Sequence, residues 1–330
     1  MKNLKWIPKA QVSIFSILFS LALAFSFSQF ANADMNMEAL VKAEVATRIL
    51  MKDSGLRKEG TLTLQNQTVT TESGMDFIEQ TLFQEKVGTV KILLRGPHGF
   101  MSDTKNAYRC LFMASGFFTG KEAVKILSPI DNTVLVGYEY AYQLQDAQKD
   151  PKVIYKFIRQ TPLQIAAALQ WLTQSYSNFE QGWMDNDGLY VIGVSLGGLF
   201  LPSSLDIANR LSVPIQGTIF AYTGADLAPV IENSIKEQVP PQIAKAAGSL
   251  VAGITALHDP RIHLPFLQGK FLVIRATEDQ VFPVDSGVLL EQLLPQPKTV
   301  KLVPGGHINT DQPETIKMVQ KIVSDWILGN

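Results

Sequence analysis

Short apolar runs alternate with helical stretches, such as GKEAVKILSPI (120–130), along most of the chain. The runs include RCLFMAS (109–115), NTVLVGYEY (132–140), LYVIGV (189–194) and KFLVIRA (270–276). Because they lack the polar alternation of a half-exposed strand, they predict strands covered on both faces. The pattern predicts an α/β fold, with a mostly parallel sheet and helices on both of its faces. In such sheets ligands gather at the carboxyl ends of the strands.

The residues before this region predict a different arrangement. Residues 37–51 space apolar side chains at helical intervals, and residues 60–84 are rich in threonine and contain a Ser73-Gly74 turn signal. We therefore expect residues 34–88 to form an N-terminal helix and antiparallel strands joined to the core. Residues 89–330 then form the main domain.

The first 33 residues have the features of a signal peptide. A basic start at residues 2–9 precedes an uncharged apolar stretch at residues 12–28, and the small residues ANA follow at 31–33. The alternative is an uncleaved membrane anchor, although this stretch is at the short limit for a span of roughly 20 residues. The sequence predicts an exported protein, periplasmic or secreted, cleaved near Ala33 and without a stable membrane span after processing.

Charge and cysteine content exclude some partners. The chain has 29 basic and 30 acidic residues, and residues 1–33 contain three lysines and no acid. The processed chain therefore has 26 basic and 30 acidic residues, a formal net charge of −4. Nucleic-acid binding generally needs a basic face, so we expect no nucleic-acid partner. Cys110 is the only cysteine, which rules out an intramolecular disulfide and is typical of a buried small side chain.

Two later helices have start signals in the sequence. A long helical region is expected after residue 140, and its last part (161–176) opens with a capping signature, because Thr161 can cap a helix, Pro162 suits its first position and Gln164 can reach back. Residues 240–257, PPQIAKAAGSLVAGITAL, indicate a second proline-started helix that is apolar on much of its surface.

The segment GVSLGG places Ser195 between a predicted strand and a predicted helix. In this G-x-S-x-G pattern Gly193 and Gly197 are small because a side chain at either position would collide across a sharp turn. Such a turn presents the hydroxyl at a helix N-terminus, where N–H groups favour developing negative charge. A turn serine with small neighbours by chance is the alternative, and the strand before it and the helix after it favour the first interpretation.

Two further candidates follow later strands. TEDQVFP places Asp279 after one strand, with Glu278 and Asp285 as alternatives, and GGHINTD places His307 after the last strand. A serine hydroxyl needs a neighbouring base to act as a nucleophile, and the base needs a carboxylate to fix its tautomer. Serine, acid and histidine, each at the end of a separate strand, predict a triad of Ser195, Asp279 and His307.

These segments resemble the α/β-hydrolase superfamily over about residues 85–330. The resemblance rests on GVSLGG, ATEDQVFP, VPGGHI and LFMASGFFTGKEA (111–123), which looks like the third strand and the oxyanion loop of the family. It implies an α/β-hydrolase fold and a serine hydrolase that acts on small ester or thioester substrates without a metal or cofactor. It also implies that the N–H groups of Leu196 and Phe117 form the oxyanion hole, although Ser115-Gly116 stands where the family often has His-Gly.

The segment of about residues 223–270 lies where members of this family commonly have a helical lid. We expect this insertion both to pack on the catalytic domain and to line an apolar pocket. The other histidines, His98, His258 and His263, lack metal-ligand spacing and are interpreted as loop or lid residues. Tyr138 and Tyr140 are candidates for either the pocket mouth or the core.

Two alternative functions stay open at this point. The first is a small peptidase or amidase of the same superfamily. The second is a non-catalytic hydrolase-like protein that binds an apolar ligand, since a fold does not fix a function. An intact Ser-His-Asp set argues against the second alternative.

Overall fold

The computed structural model describes residues 37–60, 62–103, 105–116, 119–141, 152–177, 182–236 and 239–329. The predicted signal peptide, residues 1–33, lies outside the described residues and stays a prediction. Among the helices in these ranges, none combines the length and the apolar character that crossing a membrane requires.

Nine strands in the described ranges form one mixed sheet. They are β1 (Thr63–Glu72), β2 (Met75–Gln84), β3 (Gly88–Pro97), β4 (Tyr108–Ala114), β5 (Thr133–Glu139), β6 (Met184–Val194), β7 (Gly217–Ala221), β8 (Lys270–Ala276) and β9 (Lys298–Val303). Their order across the sheet is β1-β2-β3-β5-β4-β6-β7-β8-β9. The pairings from β1 to β5 are antiparallel, and those from β5 to β9 are parallel.

Nine α-helices of the described residues surround this sheet. They are α1 (Met37–Ser54), α2 (Ala123–Ile126), α3 (Lys152–Tyr176), α4 (Leu196–Arg210), α5 (Leu227–Ile235), α6 (Pro241–Ile254), α7 (Pro260–His263), α8 (Val284–Leu293) and α9 (Pro313–Leu328). Helix α1 and the strands β1 and β2 come from the N-terminal region, and these strands continue the same sheet at its antiparallel end.

Side chains of the central strands alternate between two cores. In β4, Cys110 and Phe112 pack in the core that α3 and α4 cover. Leu111 and Met113 pack in the core on the opposite face, together with side chains of α2 and α9. All four side chains are buried. The prediction of a mostly parallel sheet with helices on both faces is therefore confirmed.

The single thiol of the chain lies within this packed interior. Cys110 has no exposed surface, and it pairs with Val134 of β5 on one side and with Leu189 of β6 on the other. Burial raises the pKa of the Cys110 thiol well above its ordinary value, because the charged thiolate is poorly solvated there.

The capping signature at Thr161 does not mark the start of a helix. Helix α3 begins earlier, and Pro162 lies inside it. Gln164 serves another purpose: its side-chain oxygen accepts a hydrogen bond from the Tyr138 hydroxyl (2.7 Å), and its amide donates to the carbonyl oxygen of Val87 (3.0 Å). A glutamine whose buried side chain links the helix to other parts of the fold thus gives the same sequence pattern as a glutamine that caps a helix.

The predicted helical insertion is present between β7 and β8. It contains α5, α6, α7 and the short turns Ala256–His258 and Leu264–Phe266. Helices α5 and α6 pack mainly on each other, whereas the last part of the insertion contacts α1 and α4. Helix α6 begins at Pro241, as the sequence predicts.

Candidate active site

Ser195 lies in a strained turn between β6 and α4. Its φ is 54° and its ψ is −121°, a conformation that costs energy for a residue with a side chain. The Ser195 N–H donates to the carbonyl oxygen of Ala221 (2.9 Å), which ties the turn to the end of β7. The turn therefore lies at the carboxyl edge of the parallel strands, where ligand sites of such sheets are found.

Two glycines give this turn the space that it needs. A Cβ atom at Gly197 would lie 1.9 Å from the carbonyl oxygen of Ala114. A Cβ atom at Gly193 would lie 2.7 Å from the Cα atom of Gly198. Both distances are far shorter than any packed contact. A side chain at Gly197 would therefore force β4 and α4 apart, and one at Gly193 would force β6 and α4 apart.

The structure brings Ser195, His307 and Asp279 together in one hydrogen-bonded chain. The His307 Nε2 atom lies 2.9 Å from the Ser195 Oγ atom, and the His307 Nδ1 atom lies 2.8 Å from Asp279 Oδ2. With hydrogen on Nδ1, the ring donates to the carboxylate and its Nε2 lone pair accepts from the hydroxyl. Only a tenth of the His307 side chain is exposed.

The loop after β8 fixes the carboxylate of Asp279. Its Oδ1 atom accepts hydrogen bonds from the main-chain N–H groups of Val281 (2.9 Å) and Phe282 (2.8 Å). Of the two alternative acids, Glu278 is exposed, and Asp285 lies exposed in the first turn of α8. Asp279 is thus the acid that meets the histidine.

Two aromatic side chains, which the sequence did not single out, enclose the His307 ring. Phe282 stacks on it, with centroids 5.7 Å apart and planes at 21°. Tyr222 meets it edge-on at 5.8 Å and 87°. Burial and the negative charge of Asp279 raise the pKa of Tyr222 to about 12, so its hydroxyl stays protonated. Phe282 lies three residues after Asp279, and Tyr222 directly follows β7. These positions are the only signals in the sequence for their contacts with the His307 ring.

One of the two predicted oxyanion donors is described by the structure. Leu196 is the first residue of α4. Its N–H therefore has no acceptor within the helix and lies at the positive end of the helix dipole. Gly116 lies against the serine, since a Cβ atom there would be 3.9 Å from Ser195 Cβ. Phe117 lies outside the described residues, and its role stays a prediction.

A buried tyrosine holds the loop before the second donor. The Tyr140 hydroxyl donates to the carbonyl oxygen of Ser115 (2.6 Å). Tyr140 and Tyr138 are both buried, and their rings lie 5.2 Å apart in an edge-to-face contact. Of the two alternatives for these tyrosines, core packing is therefore correct, and Tyr140 also anchors the loop beside the serine.

Ser195 and His307 open onto an apolar cavity of about 330 Å³. Away from the residues around Ser195 and His307, two parts of its lining are largely apolar. The first, which we call the sheet wall, comes from β4, β6, α2 and α9 and consists of Leu111, Met113, Ala123, Ile126, Leu127, Ile192, Ile316, Val319 and Val323. The second, which we call the insertion wall, comes from α3, α4 and the insertion and consists of Phe157, Ile158, Leu199, Phe200, Leu227, Val230, Ile231, Val251, Thr255 and His258.

The sheet wall exists where a helix is shorter than its sequence predicts. Residues 120–130 have a helical pattern, but the structure forms only a turn at Gly120–Glu122 and the four-residue helix α2. Gln320 of α9 bridges to the segment after α2, because its side-chain amide exchanges two hydrogen bonds with the main chain of Ser128. The cavity thus extends along a sheet face that a longer helix would cover.

The insertion reaches the triad through one small apolar cluster. Val230 of α5 packs with Leu199 of α4 and with Phe282. Phe282 in turn stacks on the His307 ring. A displacement of α5 would therefore remove an apolar contact one side chain away from His307.

The remaining histidines lie apart from the triad. His98 pairs with Asp76 (2.8 Å) beside the end of β3, His263 pairs with Asp206 (3.0 Å), and His258 lines the cavity. Within the described ranges, no group of three or more His, Cys, Asp and Glu side chains is arranged to hold a metal ion.

Solved structures share this architecture at low sequence identity. The acetyl xylan esterase 1 of a Thermoanaerobacterium species has a TM-score of 0.54 and 11% identity, covering 88% of this chain and 99% of that one. A hyperthermophilic esterase from the archaeon Pyrobaculum calidifontis has a TM-score of 0.54 and 16% identity, covering 96% of both chains. Carboxyl esterase 2 of the fungus Tuber melanosporum has a TM-score of 0.56 and 16% identity, covering 81% and 89%.

At these identities the likeness shows the fold, and the chain has the α/β-hydrolase fold that its motifs predict. No protein-family profile matches the sequence, and no curated protein is significantly similar to it.

Proposed function

We propose that this protein is a serine hydrolase that cleaves carboxylic esters of small molecules. The observation that carries the proposal is the continuous chain of hydrogen bonds from Ser195 through His307 to Asp279. Its open end faces an apolar cavity of a size that suits a small molecule. The esterase names of the structural neighbours agree with this proposal.

In the proposed reaction the Ser195 Oγ atom attacks the ester carbonyl carbon. His307 Nε2 takes the hydroxyl proton, and the negative charge of Asp279 stabilises the imidazolium that forms. The same proton then passes from His307 to the departing alcohol oxygen, which leaves an acyl group on Ser195. A water molecule, activated by His307 in the same way, releases the acid and restores the serine.

Negative charge develops on the carbonyl oxygen during both steps. We assign its stabilisation to the Leu196 N–H, at the positive end of the α4 dipole. The Phe117 N–H is the second donor in this proposal, by resemblance to the family. Thioesters undergo the same acyl transfer, so they belong to the same proposed substrate class.

The test compares the wild type with Ser195→Ala, with Ser102→Ala as a matched control. Ser102 is an exposed serine near the end of β3, away from the cavity. Both the wild type and Ser102→Ala are expected to react with a fluorophosphonate probe and to hydrolyse nitrophenyl esters. Ser195→Ala is expected to lose labelling and at least about 10³-fold in kcat. Equal labelling of Ser195→Ala and the wild type, or none in any protein, would contradict the proposal.

We also propose export of the processed chain, on the basis of residues 1–33 alone. The intact mass of protein recovered from outside the cytoplasm is expected to match a chain that begins at Asp34. A mass that retains residues before Asp34 would favour the anchor alternative.

A further inference from the structure

One polar side chain of the insertion wall has no hydrogen-bond partner among the described residues. His258 ends the turn after α6 and is 5% exposed. Its ring lines the same cavity as Ser195. The other polar residue of this wall, Thr255, already donates its hydroxyl hydrogen to the carbonyl oxygen of Val251 (2.8 Å). His258 is therefore the wall's unsatisfied polar group.

The His258 ring is neutral at physiological pH. Burial, together with the neighbouring charges of His263 and Arg159, lowers the pKa of His258 to about 3. A neutral imidazole carries one N–H donor and one lone pair, on different nitrogens. The chemistry that it offers to the cavity depends on which nitrogen carries the hydrogen.

The surroundings of the two nitrogens decide that question. Nδ1 is enclosed by protein and makes no hydrogen bond with any described residue, whereas Nε2 is not enclosed in this way. An enclosed N–H without an acceptor is rarer and costlier than an enclosed lone pair. We therefore assign the hydrogen to Nε2, the nitrogen that is not enclosed, and since His258 lines the cavity, this N–H is the polar group that the residue can offer to a ligand there.

Apart from His258 and Thr255, the insertion wall consists of apolar side chains, among them Phe157, Phe200 and Val251. The rings of Phe157 and Phe200 stand edge-to-face at 5.3 Å. A donor in an apolar wall discriminates strongly between ligands that satisfy it and analogues that do not. A purely hydrocarbon substrate chain would leave it unpaired.

We propose that His258 is a specificity-determining residue that selects esters with a second oxygen acceptor, such as a keto or ether oxygen, in the part that lies along the insertion wall. This inference rests on the proposed function, since it takes the cavity as the substrate pocket. It narrows the substrate class from apolar esters to oxygenated ones. His258 binds the substrate and takes no part in the bond-breaking steps.

The test measures binding to Ser195→Ala, so that hydrolysis is not needed. The probes are matched pairs in which a methyl branch replaces the oxygen: ethyl 3-, 4- and 5-oxohexanoate against ethyl 3-, 4- and 5-methylhexanoate. A third comparison, 2-methoxyethyl hexanoate against butyl hexanoate, covers the alcohol side. Calorimetric titration gives the ratio of dissociation constants for each pair. For at least one pair we expect the oxygenated ester to bind about tenfold more tightly.

Two variants and one control then assign the preference to His258. In Ser195→Ala with His258→Phe, which keeps a ring of similar shape, the ratio is expected to fall to about one. His258→Leu is the second variant, in case the larger ring disturbs the fold. Thr255→Val on the same wall removes a hydroxyl that is already satisfied, so the ratio is expected to persist.

The possible outcomes separate this inference from the proposed function. Absence of any preference in Ser195→Ala, or a preference that persists in both His258 variants, overturns the inference even when the wild type labels with fluorophosphonate. Loss of the preference in the His258 variants supports the inference. If the wild type fails to label or hydrolyse, the proposed function fails, while the binding ratios still decide whether His258 selects oxygenated ligands.

Discussion

Two histidine–aspartate pairs whose histidine side chains are at most a tenth exposed have the same first contact, from the ring Nδ1 atom to a carboxylate oxygen. His307 Nδ1 lies 2.8 Å from Asp279 Oδ2 at the carboxyl edge of the sheet. His263 Nδ1 lies 3.0 Å from Asp206 Oδ2, between the insertion and α4. Judged from this contact alone, either pair would qualify as the base and acid of a triad.

The two pairs differ in what the second ring nitrogen of the histidine contacts. His307 Nε2 faces the Ser195 hydroxyl, which can donate a hydrogen bond to it. His263 Nε2 faces the carbonyl oxygen of Leu257 (2.9 Å), which can only accept. The second nitrogen of His307 thus meets a group that can donate, whereas both nitrogens of His263 meet oxygen atoms that accept.

The same pair of residue types therefore contacts a serine hydroxyl in one place and connects segments of the fold in the other. His263 has no exposed surface, and its bonds connect α7 and the turn at Leu257 to Asp206 of α4. Thr47 of α1 donates to the same carboxylate (2.6 Å). The N-terminal helix thus helps to fix the end of the insertion, while α5 and α6 pack mainly on each other.

The largest expected contrast is between His307→Gln and His263→Gln. We expect His307→Gln to lower kcat for a short nitrophenyl ester by about 10⁴-fold or more, because the serine loses its base. His263→Gln is expected to retain most of this activity and to unfold more easily. Initial rates and thermal unfolding of both variants check this. A His263→Gln protein that is folded but equally inactive would refute the distinction.

A smaller effect is expected from Asp206→Asn. Removing one partner of a buried ion pair typically costs about 3 kcal/mol in the free energy of unfolding, and only 12% of the Asp206 side chain is exposed. Urea unfolding at neutral pH measures the loss. Glu44→Gln is the matched control, since this carboxylate pairs with Arg210 at the surface and its removal is expected to matter much less.

The pH dependence of the same variant sharpens the comparison. Burial raises the pKa of Asp206, but hydrogen bonds from His263 and Thr47 outweigh it, so the pKa lies below its ordinary value. The folded protein then binds this proton less readily than the unfolded chain does. The stabilisation is therefore present above the unfolded pKa of about 3.9 and is lost as the pH falls below that value.

We expect the difference in unfolding free energy between the wild type and Asp206→Asn to shrink as the pH is lowered through this range. Urea unfolding at a series of acidic pH values provides the measurement. A difference that stays constant with pH would mean that Asp206 does not act through its charge.

The positions of these residues relative to the strands explain why the sequence predicts the His307–Asp279 pair and not the His263–Asp206 pair. Ser195, Asp279 and His307 each follow a parallel strand, so the topology that the apolar runs predict also brings them together. His263 and Asp206 lie on helices, 57 positions apart, and their meeting depends on how the insertion packs against α4. Nothing in local periodicity or turn chemistry encodes that packing.

Other departures have a similar cause. The signature at Thr161 is compatible with a helix start, but the Gln164 side chain that would complete the cap is hydrogen-bonded to Tyr138 and Val87 instead. The helical pattern over residues 120–130 yields only α2, since this segment is held by contacts with distant groups such as Gln320. Local preference is weak against such tertiary contacts.

The burial of Cys110 gives the protein a built-in reporter of core opening. A thiol reagent reaches this sulfur only when the core between the sheet and helices α3 and α4 opens, because the side chain has no exposed surface in the native state. Since the chain contains no second cysteine, every modified molecule records one such opening. The rate of thiol labelling under native conditions therefore times the opening of this core without any engineered probe.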